Sequence, residues 1–201
     1  MLRKNLLLTI VTVMLLMLVI GCAKPPQQEL DAAKAVVTAA KDAEADRYLP
    51  AEFNAAQDSL NAAMTEIETQ KSKFALTRNY GHAKQLLDAA TKAATAAKDN
   101  VAAKKEEVKA EAEKLVVDAE AAMAEATALL KKAPKGKEGR EALEAIQGEL
   151  AAVETSMVDA KTQLANGDFL SARDKVSAGL QKVNSIKEEL NQAIAKKKGK
   201  K

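Results

Sequence analysis

Eight residues placed at every seventh position, Tyr80, Leu87, Ala94, Val101, Val108, Leu115, Ala122 and Leu129, are all apolar or aromatic. An apolar repeat of that period fits a helix with one face held against partner helices. The spacing predicts one helix over residues 80–132, about 80 Å long at 1.5 Å per residue. No segment alternates apolar and polar residues in the manner of a half-buried strand. The fold class that follows is all-α, an elongated antiparallel helical bundle. Its 3.5-residue period predicts left-handed supercoiling with knobs-into-holes packing.

Composition agrees. Aromatic residues make up 2% of the chain against 47% hydrophobic and 29% charged, with no Trp. Such a chain builds long helices rather than a thick globular core. Leu30, Ala33, Val37 and Ala40 form a first stripe, which "DRYLPAEF" interrupts, with Pro50 suited to the first turn of a new helix. Phe53, Ala56, Leu60, Ala63, Ile67 and Phe74 continue at three- and four-residue steps, with Gln70 the one polar member. "APKGKEG", residues 133–139, breaks the long stripe. Leu143, Ile146, Leu150, Val153, Met157, Ala160 and Leu164 follow, then "ANGDF", where Gly167 is placed to end one helix and Asp168 to cap the next. Phe169, Ala172, Val176, Gly179, Val183, Ile186 and Leu190 complete the pattern. So short a connection makes the last two helices antiparallel neighbours.

The stripes repeat. Asn79 onward aligns with Asp168 onward at an offset of 89, and Phe53, Ala56, Leu60 and Ile67 align with Leu143, Ile146, Leu150 and Met157 at an offset of 90. The expectation is two tandem three-helix units, residues 29–103 and 104–195, sharing the long central helix. That arrangement is similar to spectrin repeats, without their sequence signature. At about 25 cal/mol per Å² of buried apolar surface, Phe53, Leu60, Phe74, Leu87, Phe169 and Ile186 are expected to carry most of the stability. Met123 and Met157 read as gap-filling core residues, and Tyr48 and Tyr80 as packing against a neighbouring helix. Close helix approach explains Gly179; Gly148 has no account in the sequence.

The first residues decide location. Arg3 and Lys4 precede an apolar run, Leu6 to Ile20, of 15 residues. An ordinary spanning helix needs about 20, whereas a secretory signal peptide has this length and these flanks, so residues 1–21 read as a signal peptide. Val19-Ile20-Gly21-Cys22 resembles the bacterial lipobox. The resemblance implies cleavage before Cys22 and lipidation of its thiol, with residues 22–28 as a Pro-containing leash. Two or more acyl chains anchor stably to a membrane where one does not. Ala23 stands where the inner-membrane retention signal of such lipoproteins has Asp, which implies the outer membrane, facing the periplasm, in a source with two membranes. Cys22 is the only cysteine, so no disulfide forms.

Within residues 29–100 the chain also resembles small, Ala-rich bacterial lipoproteins of a domain-of-unknown-function type. "RYLPAEFNAAQDSL" matches their Tyr-x-Pro-x-Glu helix start and "NYGHAKQLLDAA" the helix after it. That resemblance implies a family and no activity. At the other end, Lys196, Lys197, Lys198, Lys200 and Lys201 crowd a basic tail, residues 196–201. The tail suits an anionic wall polymer or lipid headgroups. Nucleic acid is not an expected partner of an exported lipoprotein. Braun-type lipoproteins are similar in lipobox, Ala-rich coiled coil and C-terminal lysine, which implies peptidoglycan attachment for Lys201. They are single short helices ending Tyr-Arg-Lys, and this chain is neither.

Chemistry is hard to place. His82 is the only histidine, and no cysteine or second histidine stands ready to complete a metal site. Carboxylates lie mostly opposite the apolar stripes, and "KKEEVKAEAEK", residues 104–114, pairs charges along a solvated helix. The serines lack a recognisable base and no glycine loop is suited to a phosphate. The sequence therefore predicts no cofactor and no catalytic residues. It predicts a lipid-anchored envelope protein acting as a helical spacer or interaction scaffold between membrane and cell wall or a partner protein. The alternative is an envelope chaperone or transport accessory gripping clients through its helices. Stripes of this kind also suit a homo-oligomer.

Overall fold

The structure, a computed structural model, describes residues 24–134 and 137–198. The described residues form α-helices joined by turns, with one 3₁₀ turn and no strand. In chain order the helices are α1 (Gln27–Asp42), α2 (Ala45–Tyr48), α3 (Pro50–Ser72), α4 (Gly81–Lys132), α5 (Lys137–Ala165) and α6 (Phe169–Lys198), with the 3₁₀ turn at Ala75–Thr77. The fold is an all-α helical bundle. Helix takes in part of what the sequence reads as leash and tail, since α1 begins at Gln27 and α6 runs through Lys198. The chain packs as two compact units, divided between Val101 and Ala102. Helix α4, 52 residues long, supplies residues to both.

In the first unit, α1, α3 and α4 as far as Val101 bury their stripes in one core. Leu30, Ala33, Val37 and Ala40 meet Phe53, Ala56, Leu60, Ala63 and Ile67. The third row starts at Tyr80, just before α4, and steps along the helix by three then four through Ala83, Leu87, Ala90, Ala94 and Ala97 to Val101. Pro50 opens α3, where a missing N–H costs nothing. The interruption before it is itself a helical turn. Glu44 adopts a left-handed φ of 70°, and α2 then turns Ala45 and Tyr48 inward. The Arg47 guanidinium lies 5.8 Å from the Tyr48 ring centroid and pairs with Glu44 at 2.6 Å.

One expected core residue is not in the core. Phe74 is 72% exposed. Helix α3 ends at Ser72 and Lys73 is extended, with φ −77° and ψ 160°. The helical spacing that would have aimed Phe74 inward therefore stops before reaching it. Gln70, the polar member of the stripe, is buried instead.

In the second unit, α5 and α6 pack side by side. Lys182 meets Glu149 at 2.8 Å and Lys175 meets Asp159 at 3.7 Å, so residue numbers rise on one helix as they fall on the other and the pair is antiparallel. Arg173 reaches Glu111 at 3.8 Å and Lys187 pairs with Glu125. Both pairs are 62 apart in number, which makes α6 parallel to the latter part of α4. The turn between α5 and α6 is closed by Gly167 N–H donating to Leu164 O at 3.2 Å and Asp168 N–H to Gln163 O at 2.9 Å. This is a Schellman closure, and the φ of +84° at Gly167 is the left-handed residue it requires. On α4 the buried row runs from Val108 through Ala112, Ala119, Ala122 and Ala126, with half-buried Leu115 filling the seven-residue gap between Ala112 and Ala119. Leu115 and Leu129 are only half-buried, and so are Leu143 and Phe169. Phe169, the first residue of α6, contributes less to the core than expected because it stands at a helix end.

Gly179 is explained: a Cβ there would stand 3.3 Å from Val153 Cγ1, tighter than ordinary contact. Nothing in the structure explains Gly148, where a Cβ would meet no atom within 4 Å. Gly148→Ala is therefore expected to raise stability by about 1 kcal/mol, read as a higher denaturant midpoint at unchanged slope. Leu150 is buried in the second core, and Leu150→Asp would bury an unpaired carboxylate at a cost of about 3–5 kcal/mol. A melt followed by circular dichroism should fall clearly below wild type, and an unchanged melt would count against this packing.

Candidate functional site

Val19, Ile20, Gly21 and Cys22 lie outside the described residues, as do Lys200 and Lys201. Lys24, the first described residue, is exposed, and Lys196 is exposed on α6, whose backbone continues through Lys197 and Lys198. His82 is exposed on the first turn of α4. Among the described residues no group of three His, Cys, Asp or Glu side chains could hold a metal ion. No described helix is long and apolar enough to cross a membrane.

The end of the first unit nearest the chain start is the most elaborately built place in the molecule. Pro26 is buried, and its carbonyl accepts from Leu30 N–H at 3.0 Å as α1 begins. Two residues into α1, Glu29 pairs with Lys84 of α4 at 2.8 Å. The hydrogen bond from Lys84 holds the Glu29 carboxyl below the ordinary glutamate range. A lowered value means that the pair stabilises the fold above the ordinary range and stops doing so as pH falls through the lowered one.

Beside this pair runs the connection from α3 to α4. Its scaffold is the amide of Gln70, whose Nε2 donates to Glu66 Oε1 at 2.7 Å while its Oε1 accepts from Asn79 N–H at 3.0 Å. Arg78 ties the loop again, donating through Nε to Lys73 O at 3.0 Å and through Nη2 to Lys71 O at 2.8 Å. Thr77 N–H and Oγ1 both donate to Phe74 O at 2.9 Å, and Asn79 Oδ1 accepts from Gly81 N–H at 2.8 Å as α4 begins. The loop is thus cross-braced, yet it holds Phe74 and Leu76 outward, each 72% exposed. Lys71 and Lys73 flank them, both exposed. Sequence spacing hides this tip because it gives Phe74 to the core. A signal is present all the same: no acidic residue occurs between Glu68 and Asp88, while Lys71, Lys73, Arg78 and Lys84 do.

The second unit carries a groove of about 710 Å³ between α4 and α5. Met123, Ala124, Ala128, Met157 and Val158 form its apolar lining, and Glu120, Glu154, Lys131 and Lys161 are among its charged residues. Glu120 and Lys161 pair across it. Val158 is 60% exposed, and Met123 is half-buried rather than enclosed. A smaller hollow of about 420 Å³, lined by Leu130, Arg140, Leu143 and Gln147, lies nearby on the same two helices. An apolar floor with a charged rim suits the contact of another chain. It offers no enclosed acid and base. The Arg173 guanidinium is held above its ordinary value, chiefly by its hydrogen bond with the neighbouring Asp174, and this too is a surface ion pair.

If Gln70 is the brace of the α3–α4 connection, Gln70→Ala should cost about 1–3 kcal/mol by leaving the Asn79 N–H without its acceptor. Hydrogen exchange would show Asn79 losing protection while the second unit keeps its own.

No protein family, curated protein or solved structure matches the chain.

Proposed function

We propose that the protein is a non-enzymatic, lipid-anchored component of a bacterial cell envelope, acting as a helical spacer or interaction scaffold between a membrane and the wall or a partner protein. The observation that carries the reading is the sequence around Cys22, a lone thiol directly behind a signal-like apolar run. The described structure supports it in two ways. Lys24, which follows Cys22 by two residues in the sequence, is exposed. The buried amide of Gln70 is committed to holding a loop. The outer membrane is the proposed site in a source with two membranes, and Lys201 the proposed wall attachment.

The groove between α4 and α5 favours a second reading, an envelope chaperone or transport accessory that holds an apolar segment of a client there. The two readings differ in an accessible property, since the second requires a hydrophobic dye to bind the client-free protein and the first does not.

Mass spectrometry of membrane and lysozyme-digested sacculus fractions from the native host tests the leading reading. The expected species begins at Cys22 with added acyl mass, and a muropeptide on the Lys201 peptide identifies a membrane-to-wall tether. Acylation without muropeptide leaves a membrane-bound scaffold. A chain that still carries Met1 and no lipid overturns the proposal.

A further inference from the structure

We infer that Phe74 and Leu76 form a second membrane contact, an apolar tip that enters the anionic surface of the bilayer holding the lipid anchor. The inference rests on the lipid-anchored reading and adds an orientation to it.

The first observation is exposure that the fold did not need. Position 74 has a counterpart in the second unit, Leu164, at the offset of 90 that relates the two helices. Leu164 stays on an α5 that continues to Ala165, and it is half-buried. In the first unit the helix stops at Ser72, and the following residues turn outward with Phe74 and Leu76 at 72% exposure each. Large apolar side chains held out together in a braced loop mark an interaction site. The bracing is dense: Arg78 binds two carbonyls and Gln70 binds the Asn79 N–H.

Charge identifies the partner. Lys71, Lys73 and Arg78 surround the tip, and among the described residues only Lys71 of the three is engaged with a carboxylate, Glu68 at 2.7 Å. The Arg78 hydrogen bonds go to carbonyls, which leave its full charge in place. Basic residues bordering an apolar tip match anionic headgroups above an acyl layer. Position agrees with charge. The Glu29–Lys84 pair sets the start of α1 beside the start of α4, immediately after the loop. Lys24 and the tip therefore share one end of the first unit, and Cys22 is two residues from Lys24.

The chain contains no Trp, so Phe74→Trp places a single tryptophan, excited selectively over the two tyrosines, at the tip. The full lipidated protein would be reconstituted into phosphatidylethanolamine–phosphatidylglycerol vesicles, with and without brominated acyl chains. A Met64→Trp variant serves as the control, because Met64 is exposed on α3 well before the loop. The expected result is a blue-shifted emission and bromine quenching for the Phe74→Trp protein, with neither for the Met64→Trp control. Adding Lys73→Glu to the Phe74→Trp protein should reduce the quenching, as should high salt or replacement of the anionic lipid by phosphatidylcholine. Emission from the Phe74→Trp protein that stays unshifted and unquenched while Cys22 carries acyl mass overturns the tip and leaves the anchor standing. A chain without acyl mass whose Phe74→Trp fluorescence is quenched by added vesicles overturns the anchor and supports the tip.

Discussion

Everything in this bundle depends on alanine at the seam. Ala33, Ala40, Ala56, Ala63, Ala83, Ala90 and Ala94 in the first unit, and Ala112, Ala119, Ala126 and Ala160 in the second, are fully enclosed. A methyl group lets two helices come close but removes little apolar surface from water, and stabilisation scales with that surface. Many layers are needed where a leucine-rich core needs few, so the helices are long. The bulk that remains is concentrated: Leu87, Val108, Val176, Val183, Ile186 and Leu190, the largest fully buried side chains, all belong to α4 or α6. Those two helices carry the knobs, and Gly179 shows how closely a neighbour then approaches, with Val153 at the edge of contact.

The two units solve the same turn differently. Burial along α3 from Ala56 to Gln70 matches that along α5 from Ile146 to Ala160, and Ala83 to Val101 on α4 matches Ala172 to Leu190 on α6. In the second unit a glycine in the left-handed region closes the connection within residues 166–168. The first unit has no glycine there. It spends residues 73–80 and replaces the backbone closure with a buried amide and a guanidinium. That is a costly way to make a plain turn, because Gln70 had to be taken into the core. It is intelligible if the loop has something to present.

Which parts are legible in the sequence follows from what periodicity measures. Three- and four-residue spacing reports the inward face of a helix, so the cores around Leu60 and Leu150 and the antiparallel α5–α6 pair can be read directly. Spacing does not report where a helix stops. Phe74 is in phase with Ile67 and Gln70, and only the extended backbone at Lys73 takes it out of the core. Likewise α2 reads as an interruption, because the left-handed residue before it is Glu44 and not a glycine. Counting large side chains also picks out Leu115 and Leu129, whereas the deeper row beside them is Ala112, Ala119 and Ala126. For the sites, the proposal of a lipid anchor at Cys22 comes from the sequence alone, because a lipobox is a local motif, and Cys22 lies outside the described residues. The tip is not, since its meaning depends on an exposed phenylalanine that periodicity assigns to the interior. The groove is hidden for a related reason: Met123 and Met157 look like filler until α4 and α5 leave Val158 uncovered between them.

A seam of alanines has one weakness, which explains where the ion pairs fall. One alanine layer resembles the next, so a helix could slip by a heptad with modest loss of packing. Such a slip would displace it by about 10 Å. Exposed ion pairs contribute little to net stability, but each is satisfied in one register only. Lys84 with Glu29 and Arg173 with Glu111 occupy corresponding positions, since Lys84 and Arg173 are related by the offset of 89, and each ties the third helix of its unit to the first. In the first unit the consequence is specific. Register between α1 and α4 fixes how far Lys24 stands from Phe74, and a slip of one heptad would change that distance by up to about 10 Å. The Glu29–Lys84 pair thus acts less as a source of stability than as a gauge of the register between α1 and α4.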